Sequence, residues 1–468
     1  MQARQAPRVA VAGGGLAGLA AACALAESGF RVAVLEKRPF LGGRASSYEH
    51  PGTGEVVDNC QHVLFRCCTN LIAFYQRIGV DQDIRWYDEM TFLEPGGRAS
   101  ILRSSFLPAP LHTAPSFARF PFLKVVDQAA ISRALVPLVL APQKDTGKSF
   151  QDWLRDHRQT STAVERFWKP ILVSALSEDL DRISISAAAQ VVRVSMMSPE
   201  ARQMGVPTVP LTELYNAAGN YVTARSGEVR LRNPIASFQT DSDHVQIVLG
   251  ERLESFDYLV LALPFDALSR ALPAEPQSTS LQEKLSHFET SPITGIHLWF
   301  NREISDLDHA VLLDRTVQWM FHKSRLQPIR TREAGGMPGS YIELVVSSSK
   351  SLIDRSRGDI VDLALREVRE FFPAAREANL LKSTVIKELH ATYSPRPGID
   401  AYRPLPATAW PRVFLAGDFT ATGWPATMEG AVRSGYLAAE ALARAAGIKN
   451  AHFLSPDLPA SGFMRLFS

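Results

Sequence analysis

Four apolar residues, Val9 to Ala12, run into Gly13-Gly14-Gly15-Leu16-Ala17-Gly18 and then into an Ala- and Leu-rich stretch from Leu19 to Ser28. A short, wholly apolar run suits a strand buried on both faces of a parallel sheet. The Ala/Leu stretch predicts a helix, and Gly29 is a stop signal just beyond it. Val32 to Leu35 repeats the apolar run, and Glu36 ends it. The opening of the chain therefore reads strand, turn, helix, strand. Tyr258 to Leu263 and Val413 to Ala416 are further apolar runs of the same kind. The regions 281–300 and 311–346, with Gly295–Phe300 and Tyr341–Val346, show the alternation of sheet. Ile360 to Phe372 carries apolar residues at helical spacing and is stopped by Pro373. No internal repeat is visible, and residues 449–468 read as a weakly ordered tail.

Composition narrows the class. Apolar residues make up 46% and charged residues 21%, which excludes a disordered, collagen-like or coiled-coil chain. At 468 residues, two or three structural units are expected, with cores that need no metal or disulfide staple. A net charge of +2 gives no basis for nucleic acid as a partner. The four cysteines, Cys23, Cys60, Cys67 and Cys68, form no C-x-x-C. No metal site or secreted disulfide framework is expected, and a reducing, cytoplasmic compartment is. Val9 to Phe30 could pass for a signal peptide or a membrane span. Only Arg4 and Arg8 give positive charge before it, however, and Gly13, Gly14, Gly15 and Gly18 interrupt it in a pattern with its own explanation. No transmembrane helix is expected.

That explanation is dinucleotide binding. Gly13 permits a tight turn after the first strand, Gly15 lets the backbone approach a pyrophosphate, and Gly18 lets the helix pack on the strand. The helix N-terminus, at Leu16 and Ala17, offers free N–H groups and a partial positive charge to the phosphate. Glu36 lies 23 residues after Gly13, where a carboxylate can accept from ribose hydroxyls and would repel a 2′-phosphate.

The residues after Glu36 point to a flavin. They run Lys37-Arg38-Pro39-Phe40-Leu41-Gly42-Gly43-Arg44, and a simple dehydrogenase needs no second glycine loop there. Near the other end come Val413-Phe414-Leu415-Ala416-Gly417-Asp418 and Thr427-Met428-Glu429-Gly430-Ala431-Val432-Arg433-Ser434-Gly435, then an Ala-rich stretch through Ala446. Together these motifs resemble the glutathione-reductase-type FAD proteins of the amine oxidase and carotenoid desaturase superfamily. The resemblance implies non-covalent FAD, with contacts from Lys37, Gly42, Gly43, Arg44, Gln61, His62, Gly417, Asp418, Thr427, Met428 and Ala431. It also implies a strand from Gly227 to Ile235 near the adenine. A helix beginning near Met428 would meet the negative charge that develops on the pyrimidine edge of reduced flavin. The implied fold is α/β with α+β: a Rossmann-like FAD domain from 1–80, 215–270 and 405–446, and an inserted mixed-sheet and helical substrate domain from 85–210 and 270–400.

Asp58-Asn59-Cys60-Gln61-His62 resembles the D-x-G-x-H element of isoprenoid-processing members, with Cys60 where glycine is usual. With the tail from Phe414 to Gly435, the chain most resembles the squalene-associated branch, the hydroxysqualene dehydroxylases of hopanoid pathways. The resemblance implies reduction of an allylic hydroxyl on a long isoprenoid by reduced FAD. A hydroxyl leaves only when protonated, so a general acid is required. The pocket must also be apolar and closed to water. His62 is the candidate acid and Asp58 its orienting or protonating partner; the alternatives are that His62 holds a backbone carbonyl and Asp58 orders the loop. Trp424, Phe120, Phe122 and Trp168 are candidate substrate-lining residues. The rival readings are a carotenoid-type desaturase, an amine oxidase, and a prenyl-binding carrier of the same fold that uses no flavin. No second nicotinamide fingerprint is visible, so the external electron donor is unassigned.

Residues 98–148 stand apart. Seven Lys/Arg face two Asp, a local charge of +5, among six prolines and Phe106, Phe117, Phe120 and Phe122. Basic, aromatic and apolar residues together suit peripheral contact with an anionic membrane surface, here the inner face of the cell membrane. A cap over a substrate tunnel is the plainer reading of the same segment.

Overall fold

The structure, a computed structural model, describes residues 6–328 and 339–467; Arg4 and the middle of the 311–346 region lie outside them. A five-stranded sheet, parallel throughout, has the order Glu228–Leu231, Arg31–Glu36, Arg8–Ala12, Tyr258–Leu261, Val413–Leu415. The first helix, Leu16–Glu27, starts directly at the glycine turn, three residues before the expected Leu19, because Gly15 is its N-cap. It packs against the helix Met428–Ala445 so closely that a Cβ on Gly435 would lie 2.2 Å from the Ala17 carbonyl oxygen. Small residues on both helices permit that approach.

A second, seven-stranded sheet has the order Leu380–Tyr393, Thr290–Phe300, Tyr341–Ser347, Trp319–His322, His309–Leu312, Glu89–Leu93, Ala99–Arg103. Only the His309–Leu312 and Glu89–Leu93 pair is parallel. The Tyr341–Ser347 strand is buried at every position, not at alternate ones. The reason is that both faces are covered. Ile342, Leu344 and Val346 meet Ile360, Ala364 and Val368 of the helix Arg357–Phe371 on one face, and Val345 joins a different core on the other.

That other core belongs to a helical unit built from Val125–Leu140, Phe150–Asp156, Lys169–Leu176 and Ile185–Met196. Residues 449–467 differ from the expected loose tail. Leu454 N–H donates to Glu440, Ser455 N–H to Asn70, Ser461 N–H to Met197 and Phe463 N–H to Ala109, and Met464 is fully buried. These anchors depend on partners outside the segment, so nothing local in the sequence shows them. Among the described residues no helix is long and apolar enough to cross a membrane.

Candidate active site

The first glycine turn is built by steric necessity. Gly13 has φ +115°, and a Cβ there would sit 2.4 Å from Ala262 O. A Cβ on Gly18 would sit 1.9 Å from Gly13 O. These two glycines let strand and helix touch. Gly15 differs: the nearest atom to its virtual Cβ is Gly43 Cα, 3.8 Å away. Space is left beside Gly15 at the uncapped start of the helix, where a pyrophosphate would accept from Leu16 and Ala17 N–H. The second glycine loop closes over the first, with Gly42 N–H donating to Gly14 O at 2.8 Å.

Glu36 is buried at the end of its strand, and its carboxylate accepts from Gly14 N–H (2.6 Å) and Arg38 N–H (2.7 Å). Both bonds fix its position and leave lone pairs for a ribose. Lys37 points outward and is exposed; its neighbour Arg38 reaches inward to Gly43 O at 2.8 Å. The neighbouring strand ends at Leu231, short of the expected Ile235; just past it Asn233 N–H donates to Glu36 O, and Ile235 packs against the core beneath that sheet.

Arg44 and Asp418, 374 residues apart, form an ion pair at 2.6 Å, and Arg44 also donates to Ala391 O. Gly417, at φ +149°, precedes the aspartate, and its N–H donates to Ser434 Oγ. Thr427 caps its helix by accepting from Gly430 N–H, Ala431 N–H donates to Thr427 O, and Met428 Sδ accepts from Tyr215. The open space at Gly15 and the aligned N–H groups fit a flavin dinucleotide.

The Asp58–His62 segment is tied to the same loop. Asn59 Nδ2 donates to Arg44 O, and Ser46 N–H donates to Asn59 Oδ1. Cys60 has no positive φ, so the glycine usual at that position is not needed for the turn. Burial pushes the Cys60 thiol well above its ordinary range, so it is neutral. His62 Nδ1 donates to Cys60 O at 2.7 Å, which leaves Nε2 as its free nitrogen. Burial lowers the His62 pKa, so the ring is neutral at pH 7.

Asp58 departs from its expected role. It makes no hydrogen bond to His62; its carboxylate accepts from Ser47 Oγ (2.5 Å), Leu211 N–H (3.1 Å) and Lys323 Nζ (2.6 Å). Burial opposes its charge, but Lys323 and the bonds from Ser47 and Leu211 together outweigh burial and hold its pKa below the usual value. Gln61 Oε1 accepts from the same ammonium at 2.9 Å. Lys323 and Glu343 were not picked out from the sequence. Glu343 stood in view as one acid inside the apolar strand Tyr341–Ser347, and Lys323 directly follows the apolar strand Trp319–His322.

Three lining candidates turn out to be packing residues. Trp168 is fully buried and its indole N–H donates to Gln159, so it lines no open space. Phe120 and Phe122 stack at 4.7 Å in the same core, against Phe92. Trp424 carries the Arg433 guanidinium over its ring at 4.6 Å, which takes one of its faces. Cys60 itself belongs to the same core as Trp168, Phe120 and Phe122, which also holds Trp319, Phe321 and Val345, with Val63, Phe65 and Ile293 packed against it.

Residues 16–443 match the family model described as flavin containing amine oxidoreductase. The chain is 27% identical to 15-cis-phytoene desaturase of Synechococcus elongatus, over 93% of this chain and 95% of that protein. It is 26% identical to zeta-carotene desaturase of Synechocystis, over 93% and 97%. In structure it is similar to an oxidoreductase from Methanosarcina mazei (TM-score 0.71, 15% identity, 92% of this chain and 98% of that one). It is also similar to putrescine oxidase bound to putrescine (TM-score 0.69, 16% identity, 94% and 98%). With the glycine cradle, the buried Glu36 and the Arg44–Asp418 pair in place, this chain belongs to the flavin-containing amine oxidoreductase family and is an FAD-dependent oxidoreductase.

Proposed function

We propose that the chain reduces hydroxysqualene to squalene. The allylic C–O bond breaks, the oxygen leaves as water after gaining one proton, and a hydride takes its place on carbon. When bound, reduced FAD supplies that hydride and ends two electrons poorer. The chain's own residues bind the isoprenoid, exclude water and provide the proton. The observation that carries this reading is the apolar core that Cys60 shares with Trp319, Phe321 and Val345, against which Val63, Phe65 and Ile293 pack. Apolar surroundings of that kind suit a hydrocarbon and would protect an allylic cation from recapture by water. A diamine would be desolvated there, and the nearby buried carboxyl groups of Asp58 and Glu343 already face Lys323. His62 Nε2 is the atom proposed to hold the transferred proton. Since the ring is neutral at rest, it must first take a proton up.

A carotenoid-type desaturase is the second reading, favoured by the phytoene and zeta-carotene desaturases among the relatives. It would run the electrons the other way. The test is to reduce the FAD-loaded protein without oxygen and add hydroxysqualene. Return of the oxidised flavin band with one squalene per flavin supports the dehydroxylase. Bleaching of oxidised flavin by a polyene precursor supports the desaturase instead.

Access from a membrane is part of the same proposal. Phe106 (96% exposed), Val125 (82%) and Leu466 (78%) project into solvent near Arg103, Arg119, Lys124 and Arg465. Phe463 N–H, bonded to Ala109 O, brings the C-terminal turn beside the 106–111 loop. Apolar side chains set among cations suit an anionic lipid surface.

A further inference from the structure

Three ionisable side chains, Asp58, Lys323 and Glu343, are buried together behind the His62 segment, at most 3% exposed each. The ammonium of Lys323 faces three oxygens: Asp58 Oδ2 at 2.6 Å, Gln61 Oε1 at 2.9 Å and Glu343 Oε2 at 3.5 Å. A buried ammonium persists only where its partners are fixed. Two carboxylates that share one cation cannot both ionise cheaply, so one keeps a proton. The geometry decides which. Asp58 has short bonds from Ser47, Leu211 N–H and Lys323, whereas Glu343 has only weaker contacts, from Lys323 at 3.5 Å and from the Gln61 backbone N–H. Asp58 is therefore the carboxylate and Glu343 the acid.

We propose that Lys323 is a positioning residue of this site: its ammonium ties the Asp58 carboxylate to the Gln61 amide, holding the turn that carries His62 against the cofactor loop, while a protonated Glu343 leaves that ammonium to them. The proposal rests on the reading of His62 as the proton-bearing group. The connections are short. Gln61 Nε2 donates to His62 O at 3.1 Å, and Asn59, between Asp58 and Gln61, is bonded to Arg44. Once Glu343 ionises, a second carboxylate competes for Lys323, and the ties to Asp58 and Gln61 loosen.

The groups facing Glu343 come from four elements. Lys323 follows the neighbouring strand, and Asp58 and Cys60 come from the His62 segment. His297 stands directly opposite on Thr290–Phe300, and Tyr341 lies on the same strand as Glu343, its hydroxyl 2.9 Å from His297 Nδ1. Burial drops His297 to about 3, and burial raises Tyr341 and Cys60 well above their usual values, so all three stay neutral from pH 6 to 9. Burial, followed by Asp58, raises Glu343 to about 8 against the pull of Lys323. Glu343 is thus the member that changes charge in the working range.

The experiment uses FAD-loaded wild type, Glu343→Gln, Lys323→Met and Lys323→Arg. The visible spectrum of the bound flavin is recorded from pH 6 to 9.5, beside kcat and KM with hydroxysqualene. The expected result is a spectral inflection near pH 8 in wild type that Glu343→Gln abolishes, because Gln mimics the protonated acid. Lys323→Met should lower kcat about tenfold or more with KM nearly unchanged, and Lys323→Arg should recover part of it. A flavin spectrum in wild type that does not respond to pH overturns the proposal. So does an inflection that survives in Glu343→Gln, or wild-type kcat in Lys323→Met. If Lys323→Met does not fold, the comparison of wild type with Glu343→Gln decides alone. The spectrum needs no substrate, so failure of the hydroxysqualene reading shows up separately, as absent turnover in every form.

Discussion

Gly15 and Gly18 stand three residues apart in one turn, and the structure gives them opposite jobs. Gly18→Ala would place a methyl group 1.9 Å from Gly13 O and 3.2 Å from the Ala262 Cβ. Backbone cannot yield as a flexible side chain does, so the helix Leu16–Glu27 must move off the strand by roughly an ångström. Overpacking of this kind costs about 1–3 kcal/mol. Gly15→Ala meets nothing closer than Gly43 Cα at 3.8 Å, and its φ of −80° and ψ of 177° suit alanine. Its methyl group fills the space through which a pyrophosphate would approach the helix N–H groups. Loss of one charge-assisted hydrogen bond there is worth about 1.5–3 kcal/mol, or roughly 10- to 150-fold in affinity. The assay is two curves per variant: thermal unfolding of the protein stripped of FAD, and a fluorescence titration of FAD into it. Gly18→Ala should melt several degrees lower, and Gly15→Ala should melt near wild type yet bind FAD at least roughly tenfold more weakly. A Gly15→Ala protein that binds FAD like wild type, or a Gly18→Ala protein that melts like wild type, refutes the division of roles.

Other outcomes follow from the same geometry. His62→Ala should keep the flavin band and lose roughly 100- to 10,000-fold in kcat, the span expected for a general acid, as read by squalene formation. Between its ordinary pKa of 4.5 and about 8, Glu343 holds a proton in the folded protein that the unfolded chain has released. Stability should therefore fall as pH rises through that window, by at most about 1.4 kcal/mol per pH unit, and Glu343→Gln should flatten the slope in urea unfolding. Phe106→Ser with Leu466→Ser should release the protein from anionic vesicles in a sedimentation assay, and wild type should bind those vesicles better than neutral ones and less well in high salt. Arg44→Met should weaken FAD binding roughly tenfold or more, since it leaves the buried Asp418 without its cation.

How much of this was legible beforehand follows from how local each signal is. Gly13, Gly15, Gly18 and Glu36 act within one strand–helix–strand unit, so their spacing alone predicts the turn that is found. Arg44 and Asp418 could each be named from motifs, but their ion pair spans 374 residues and no local pattern encodes it. The same limit hid the Asp58–Lys323 bond. Sequence made Asp58 a neighbour of His62, whereas folding gave its carboxylate to a lysine 265 residues away. Trp168, Phe120 and Phe122 show the converse limit. Aromatic residues in an apolar segment predict burial, but whether they border a ligand or each other depends on packing. The C-terminal turn looked loose because its anchors lie far away in sequence: Met464 joins the core of the helical unit, and Phe463 N–H bonds Ala109 O.

The central claim is that a hydride passes from flavin to the carbon that bore the hydroxyl, and running the reaction in D2O tests it directly. The flavin N5 hydrogen exchanges with solvent, so anaerobic reduction in D2O followed by hydroxysqualene should give squalene carrying one deuterium per molecule at the former carbinol carbon, with one flavin reoxidised for each. Squalene without deuterium, or no squalene while the protein instead takes hydrogen from a polyene precursor, would contradict the account.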